Sequence, residues 1–169
     1  MSGADPAVVA EARAFLAEAA PAFRAEYGDR QDFDAARAWQ RRLDGAGWVG
    51  LNWPKEYGGR ALDLATQVAV ETAIGETGAP QIAGFIGVNT VAAALMRWGT
   101  PEQKAYLPAI RSGELIFCQG FSEPGAGSDL ASLRTRAQRV DDGFVLDGQK
   151  VWTSHGTHGD QCLVLARTT

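Results

Sequence analysis

FCQGFSEPGAGSD, residues 117–129, divides the chain. Before it, apolar residues recur at helical spacing; after it they fall into short runs broken by Asp-Gly turns. The stretch opens on an apolar run of strand length and enters a turn at Glu123-Pro124. Proline biases Glu123 toward extended backbone. Gly125 and Gly127 permit a sharp turn and a close backbone approach to something bulky. A strand that ends in a glycine turn carrying free N–H groups and hydroxyls suits a polar heteroaromatic ring or a phosphate.

Upstream, Asp5-Pro6 reads as an N-cap followed by proline at the first helical position. Val8, Ala12, Phe15, Ala19 and Phe23 then recur at steps of three and four, and Pro21 predicts a bend or an end. A second helix is expected after Asp32, with Phe33, Ala36, Trp39 and Leu43 inward and Gly45 and Gly47 as its stop. Residues 48–60, WVGLNWPKEYGGR, read as a loop, pinned to the helices by Trp48, Trp53 and Tyr57. A third helix follows Asp63 and ends at Thr77-Gly78-Ala79-Pro80. A fourth, over 81–98, is apolar nearly all round and belongs at the centre of a bundle or against a second domain. Its mid-helix polar groups, Asn89 and Thr90, are either satisfied internally or face a cavity. Thr100-Pro101-Glu102 starts a fifth, short helix that ends near Ser112-Gly113.

Downstream, strands are expected at 115–121, 133–140, 144–146, 150–153 and 161–167, with turns at Asp141-Asp142-Gly143 and Asp147-Gly148. So few short strands make half a sandwich or barrel with open edges. The expectation is therefore an α+β fragment of a longer protein. It has an all-α helical domain at 1–114 and the truncated first part of an antiparallel β domain at 115–169.

The 169 residues are 46% hydrophobic and 21% charged, ordinary for a soluble globular protein. A net charge of −4 without a basic cluster argues against nucleic acid as a partner. The most apolar stretch, 80–98, is interrupted by Gln81, Asn89 and Arg97 and reads as a buried helix, not a membrane span. An acidic N-terminus without an apolar core segment predicts no signal peptide, hence a cytoplasmic protein. Cys118 and Cys162 fit no metal-ligand spacing and are expected as buried free thiols. His155 and His158 have only Asp160 near them and are expected at the surface or a cavity rim, with no metal bound.

Val151-Trp152-Thr153-Ser154 is a second segment able to face a flat ligand, through an aromatic surface and two hydroxyls. On periodicity alone, a tryptophan on a strand reads more readily as core than as a platform.

Three motifs in order, LNWPKEYGG (51–59), CQGFSEPGAGSD (118–129) and GQKVWTS (148–154), resemble the acyl-CoA dehydrogenase family of flavoproteins. The resemblance covers essentially the whole chain. It implies a helical N-terminal domain, a middle β domain and a C-terminal four-helix bundle, of which this chain resembles the first and about half of the second. It implies FAD, with Gln119, Phe121 and Ser122 at the flavin and the Ser122 hydroxyl and backbone N–H groups at its pyrimidine edge. Trp152 would pack on the ring, with Thr153 and Ser154 beside it and Ser154 the better placed for N5. Ser128 matches the position that touches the acyl-CoA substrate, and Asn89 and Thr90 would help wall the acyl cavity.

The implied reaction removes two hydrogens from Cα and Cβ of an acyl-CoA in lipid catabolism. A glutamate takes the α-proton and the flavin takes the hydride. Electrons then pass to an electron-transfer flavoprotein, and the full-length enzyme is a homo-oligomer, dimer or tetramer. The family's catalytic glutamate lies in the C-terminal domain, and Glu56, Glu71, Glu76, Glu114 and Glu123 do not match it. Glu123 is expected to hold the turn through backbone hydrogen bonds. The chain by itself is therefore expected to be inactive and to bind FAD weakly or not at all. A flavin-dependent monooxygenase or nitroalkane oxidase on the same scaffold, a non-catalytic dehydrogenase-like subunit and a degenerate chain without activity stay open as alternatives.

Overall fold

Asp5 caps the first helix, α1 (Pro6–Tyr27): its carboxylate accepts from the Ala7 and Val8 N–H groups, and Pro6 takes the first helical position. Ala12, Leu16, Ala19 and Phe23 form the buried face. The helix continues through Pro21 to Tyr27 instead of ending there. Pro21 is exposed, so the carbonyl that loses its donor can turn to solvent. The computed structural model describes residues 3–168. These fall into two units that divide between Leu115 and Ile116.

In the helical unit, α2 (Phe33–Gly45) starts at the Asp32 cap and buries Ala35, Ala36, Trp39, Gln40 and Leu43. Gln40 is fully buried. Its amide nitrogen donates to the Ile110 and Arg111 carbonyls at 3.1 and 3.0 Å, and its oxygen accepts from the Gly84 N–H at 2.6 Å. A β-carbon at Gly84 would lie 2.8 Å from this amide, so the backbone must come close there. Residues 48–60 form the expected pinned loop. Trp48 and Trp53 are buried, and the Trp53 indole N–H donates to the Val88 carbonyl at 3.1 Å. A β-carbon on Gly59 would sit 2.2 Å from the Trp53 carbonyl oxygen.

Asp63 caps α3 (Leu64–Gly75), which packs on α1. The expected fourth helix is shorter and less regular than its apolar pattern predicts. Residues 81–84 are not helical, the helix begins at 85, and a π turn (Gly87–Val91) precedes α4 (Ala92–Trp98). Gln40 holds the Gly84 N–H, which fixes where the chain enters the helix. Thr100 and Gln103 form a capping box on α5 (Pro101–Lys104), and α6 (Leu107–Ser112) ends at Gly113 with φ +73°.

The second unit has four strands: β1 (Phe117–Gly120), β2 (Arg136–Val140), β3 (Gly143–Asp147) and β4 (Gln161–Val164). β2 and β3 form an antiparallel hairpin, with Arg136 opposite Asp147. β1 pairs β4 in parallel, with Phe117 opposite Gln161. The antiparallel expectation thus holds for the hairpin alone. Strands joined by a tight turn must run antiparallel, whereas the chain between β1 and β4 is long enough for a crossover. The strand expected at 150–153 is absent. There the Val151 N–H bonds back to the Ser122 carbonyl, and Trp152 leaves the extended region at φ +57°.

Cys118 is buried, but Cys162, expected buried, is exposed because β4 begins on the surface. The two are register partners across the parallel pair. Partial burial, helped by a hydrogen bond with Cys118, pushes the Cys162 thiol up to about 11, which suppresses its reactivity as a nucleophile.

Candidate functional site

β1 delivers Gln119 and Gly120 and then leaves the sheet at Phe121. The chain reverses over Glu123–Ala126, closed by the Glu123 N–H to the Ala126 carbonyl (2.8 Å) and the Ala126 N–H to the Glu123 carbonyl (3.1 Å). Pro124 takes the second turn position, which suits its fixed φ. Neither Gly125 nor Gly127 adopts positive φ, and a β-carbon on either would meet no atom within 4 Å. The close approach those glycines allow is not to this chain's own described atoms.

Glu123 ties the turn to its surroundings. Its carboxylate accepts from the Arg134 N–H at 2.6 Å, the Thr135 N–H at 2.8 Å and the Lys150 ammonium at 2.9 Å. The Lys150 ammonium and the Arg134 and Thr135 N–H groups hold its carboxyl at about 2, far below the usual glutamate range. A carboxylate held so firmly as an anion is a poor general base. The role is structural, as expected, but the side chain carries more of it than the backbone does.

Lys150 is the residue that sequence reasoning missed. Its ammonium bonds both Glu123 and the Phe121 carbonyl (3.0 Å), and its stem covers Gly120, where a β-carbon would lie 3.2 Å from Lys150 Cγ. Its partners lie 29 and 27 residues away, so no local pattern announces it. Through Lys150 and the Val151–Ser122 backbone bond (3.0 Å), the two flavin-matching segments are brought side by side.

Gln119, Phe121 and Ser122 are half-buried. Gln119 Oε1 is buried with no hydrogen-bond partner among the described residues. Trp152 is 90% exposed, so it is a free aromatic face and not core. Thr153 is half-buried and Ser154 exposed; a tight turn follows, with the Gly156 N–H on the Thr153 carbonyl (3.0 Å) and His155 at φ +59°. The hydroxyls of Ser122, Thr153 and Ser154 make no hydrogen bond among the described residues. Ser128 is exposed beyond the turn, and no hydrogen bond joins it to either segment. Asp160 is committed to the backbone, accepting from the Ile116 N–H at 2.8 Å. An open indole face beside a buried, unanswered amide oxygen and unpaired hydroxyls can hold a flat heteroaromatic ring with a polar edge.

Comparison with known proteins extends over both units. The family models for the acyl-CoA dehydrogenase N-terminal and middle domains match residues 4–114 and 118–169. A relative named acyl-CoA dehydrogenase IpdE1, from Mycobacterium tuberculosis, is 44% identical over 141 residues, 83% of this chain and 37% of its own length. The solved structure titled "Tcur3481-Tcur3483 steroid ACAD" is similar over 100% of this chain and 45% of its own, with 38% identity and a TM-score of 0.79. The ChsE4-ChsE5 complex from Mycobacterium tuberculosis matches over 100% of this chain and 44% of its own, with 36% identity and a TM-score of 0.83. The chain thus spans less than half the length of these relatives.

Proposed function

The chain belongs to the acyl-CoA dehydrogenase family, and we propose that the protein containing it removes two hydrogens from Cα and Cβ of an acyl-CoA thioester, using FAD. The observation that carries this reading is the pairing of Gln119–Ser122 with Trp152–Ser154 by Lys150 and Glu123. The family generally binds FAD, and the residues present fit a flavin. The orphaned Gln119 oxygen can accept from a ring N–H, and the Ser122 hydroxyl can donate to a ring carbonyl. Phe121 adds its ring beside them, and Trp152 covers the face and excludes water. Thr153 and Ser154 place hydroxyls next to that face, and Ser128 serves the acyl-CoA. When bound, the flavin supplies the two-electron acceptor.

No carboxylate of this chain takes the α-proton in this reading. Glu123 is engaged by three donors, and the base comes from sequence outside this chain, which alone is inactive. Electron-transfer flavoprotein is the electron acceptor, and the working protein is a cytoplasmic homo-oligomer. Among the described residues no helix is long and apolar enough to cross a membrane. A second reading, assembly with a different dehydrogenase-like subunit, is supported by a similar structure whose title names a complex of ChsE4 with ChsE5.

Trp152→Ala in the flavin-loaded protein tests the site. Loss of the stacking face is expected to weaken FAD retention about tenfold and to shift the flavin absorption bands. Unchanged affinity and spectrum would remove Trp152 from the site.

A further inference from the structure

The chain has two cysteines, and the fold places them side by side. Cys118 on β1 and Cys162 on β4 are register partners in the parallel pair, so both side chains stand on the same face of it. Neighbouring strands run about 4.7–4.9 Å apart, inside the Cα separation of roughly 4.4–6.8 Å that a disulfide spans. The strands need not separate or turn over for the two sulfurs to join. The Cys118 thiol donates to the Gln161 carbonyl at 3.5 Å, which turns it toward β4 at the residue before Cys162. A β-carbon at Gly120 would lie 3.5 Å from Cys162 Sγ, and one at Gly159 would lie 3.0 Å from Cys118 Sγ. Each sulfur therefore sits against a position that carries no side chain to come between them. Their access to solvent differs. Cys118 is 6% exposed, whereas Cys162 is open.

We propose that Cys118 and Cys162 form a reversible oxidation site, joined as a disulfide when a hydroperoxide reaches the exposed member. Cys162 meets the oxidant, and buried Cys118 beside it resolves the product. In the first step the Cys162 sulfur attacks the peroxide. An S–O bond forms, the O–O bond breaks, and the departing oxygen leaves as water or an alcohol with the Cys162 proton. In the second the Cys118 sulfur attacks the Cys162 sulfur. The S–S bond forms, the S–O bond breaks, and the hydroxyl leaves as water with the Cys118 proton. The two sulfurs together lose two electrons, and the peroxide gains them. A small thiol reverses the bridge by exchange. Because the Cys162 thiol keeps its proton up to about 11, the first step is slow, and the site answers an excess of oxidant instead of traces. In a reducing compartment a disulfide of this kind is transient and redox-sensing. Cys118 directly precedes Gln119, so the bridge ties the strand leading into the flavin-matching segment to β4. The chemistry needs no flavin and does not rest on the dehydrogenase reading.

The test treats the folded protein that contains these residues with excess hydrogen peroxide, blocks the remaining thiols with iodoacetamide in urea, and reads the digest by mass spectrometry. The peptide carrying Cys118 is expected to be linked to the one carrying Cys162, lighter than their sum by two hydrogen atoms. Dithiothreitol added before the block should return both as alkylated thiols. Cys162→Ser, at an exposed position, should keep the fold and leave Cys118 a free thiol through the same treatment. Cys118→Ser should leave Cys162 as a sulfenic acid that dimedone traps. Cys162→Ser carries the test by itself where Cys118→Ser, in the core, does not fold. Both cysteines alkylated after peroxide, a bond from either to a third cysteine, Cys162 carried to sulfinic acid with Cys118 free, or Cys118 oxidised just as fast in Cys162→Ser would each overturn the proposal. Flavin spectra play no part, so a failed dehydrogenase assay leaves the result standing.

Discussion

Glu123 is where the chemistry of one side chain fixes the geometry of a site. Its carboxyl is lowered from 4.5 to about 2, so the folded protein binds that proton less readily than the unfolded chain does. The stability it adds is fully present above the unfolded value and is lost as pH falls through the folded one. Glu123→Gln should lower the melting temperature at neutral pH and flatten the acid limb between pH 4.5 and about 2, as followed by circular dichroism. An unchanged acid limb would count against the assigned contacts. Gln40 offers a second test at this scale. Gln40→Leu strands the Gly84 N–H and two carbonyls in the core, for a loss of about 3 kcal/mol in urea unfolding. The structural role of Glu123 was legible from its place in the turn. Lys150 was not, because its partner lies 27 residues away and nothing local announces the pair.

At the scale of elements, caps and periodicity read well. Asp5, Asp32, Asp63 and Thr100 all start helices because each places a side-chain oxygen on otherwise unpaired N–H groups. Two of the misreadings share a cause: a distant partner takes a backbone group that the local pattern assigns elsewhere. Gln40 holds Gly84 and delays the fourth helix; Ser122 takes the Val151 N–H where a strand was expected. Parallel pairing of β1 with β4 likewise depends on a crossover that no short window contains. The aromatic loop can be tested by two changes. Trp53→Phe removes the bond to Val88 and should cost about 1 kcal/mol. Gly59→Ala should cost more, since its β-carbon would meet the Trp53 carbonyl at 2.2 Å. A Gly59→Ala protein as stable as the parent, in the same urea titration, would contradict the loop's packing.

For the whole molecule, the division into a helical part and a partial sheet was legible from the change of period at residues 115–121. Two motif segments stood out in the sequence, and the structure adds how Lys150 and Glu123 bring them together. The 90% exposure of Trp152 was not legible, because periodicity counts a tryptophan as core wherever the neighbours are apolar. The chain spans less than half the length of the relatives it matches. The most direct test of the central claim is therefore made on the flavin-loaded protein that contains these residues, titrated without oxygen against a panel of acyl-CoA thioesters. Dehydrogenation predicts that at least one thioester bleaches the oxidised flavin band, in proportion to the flavin present. A flavin that stays oxidised across the whole panel would contradict it.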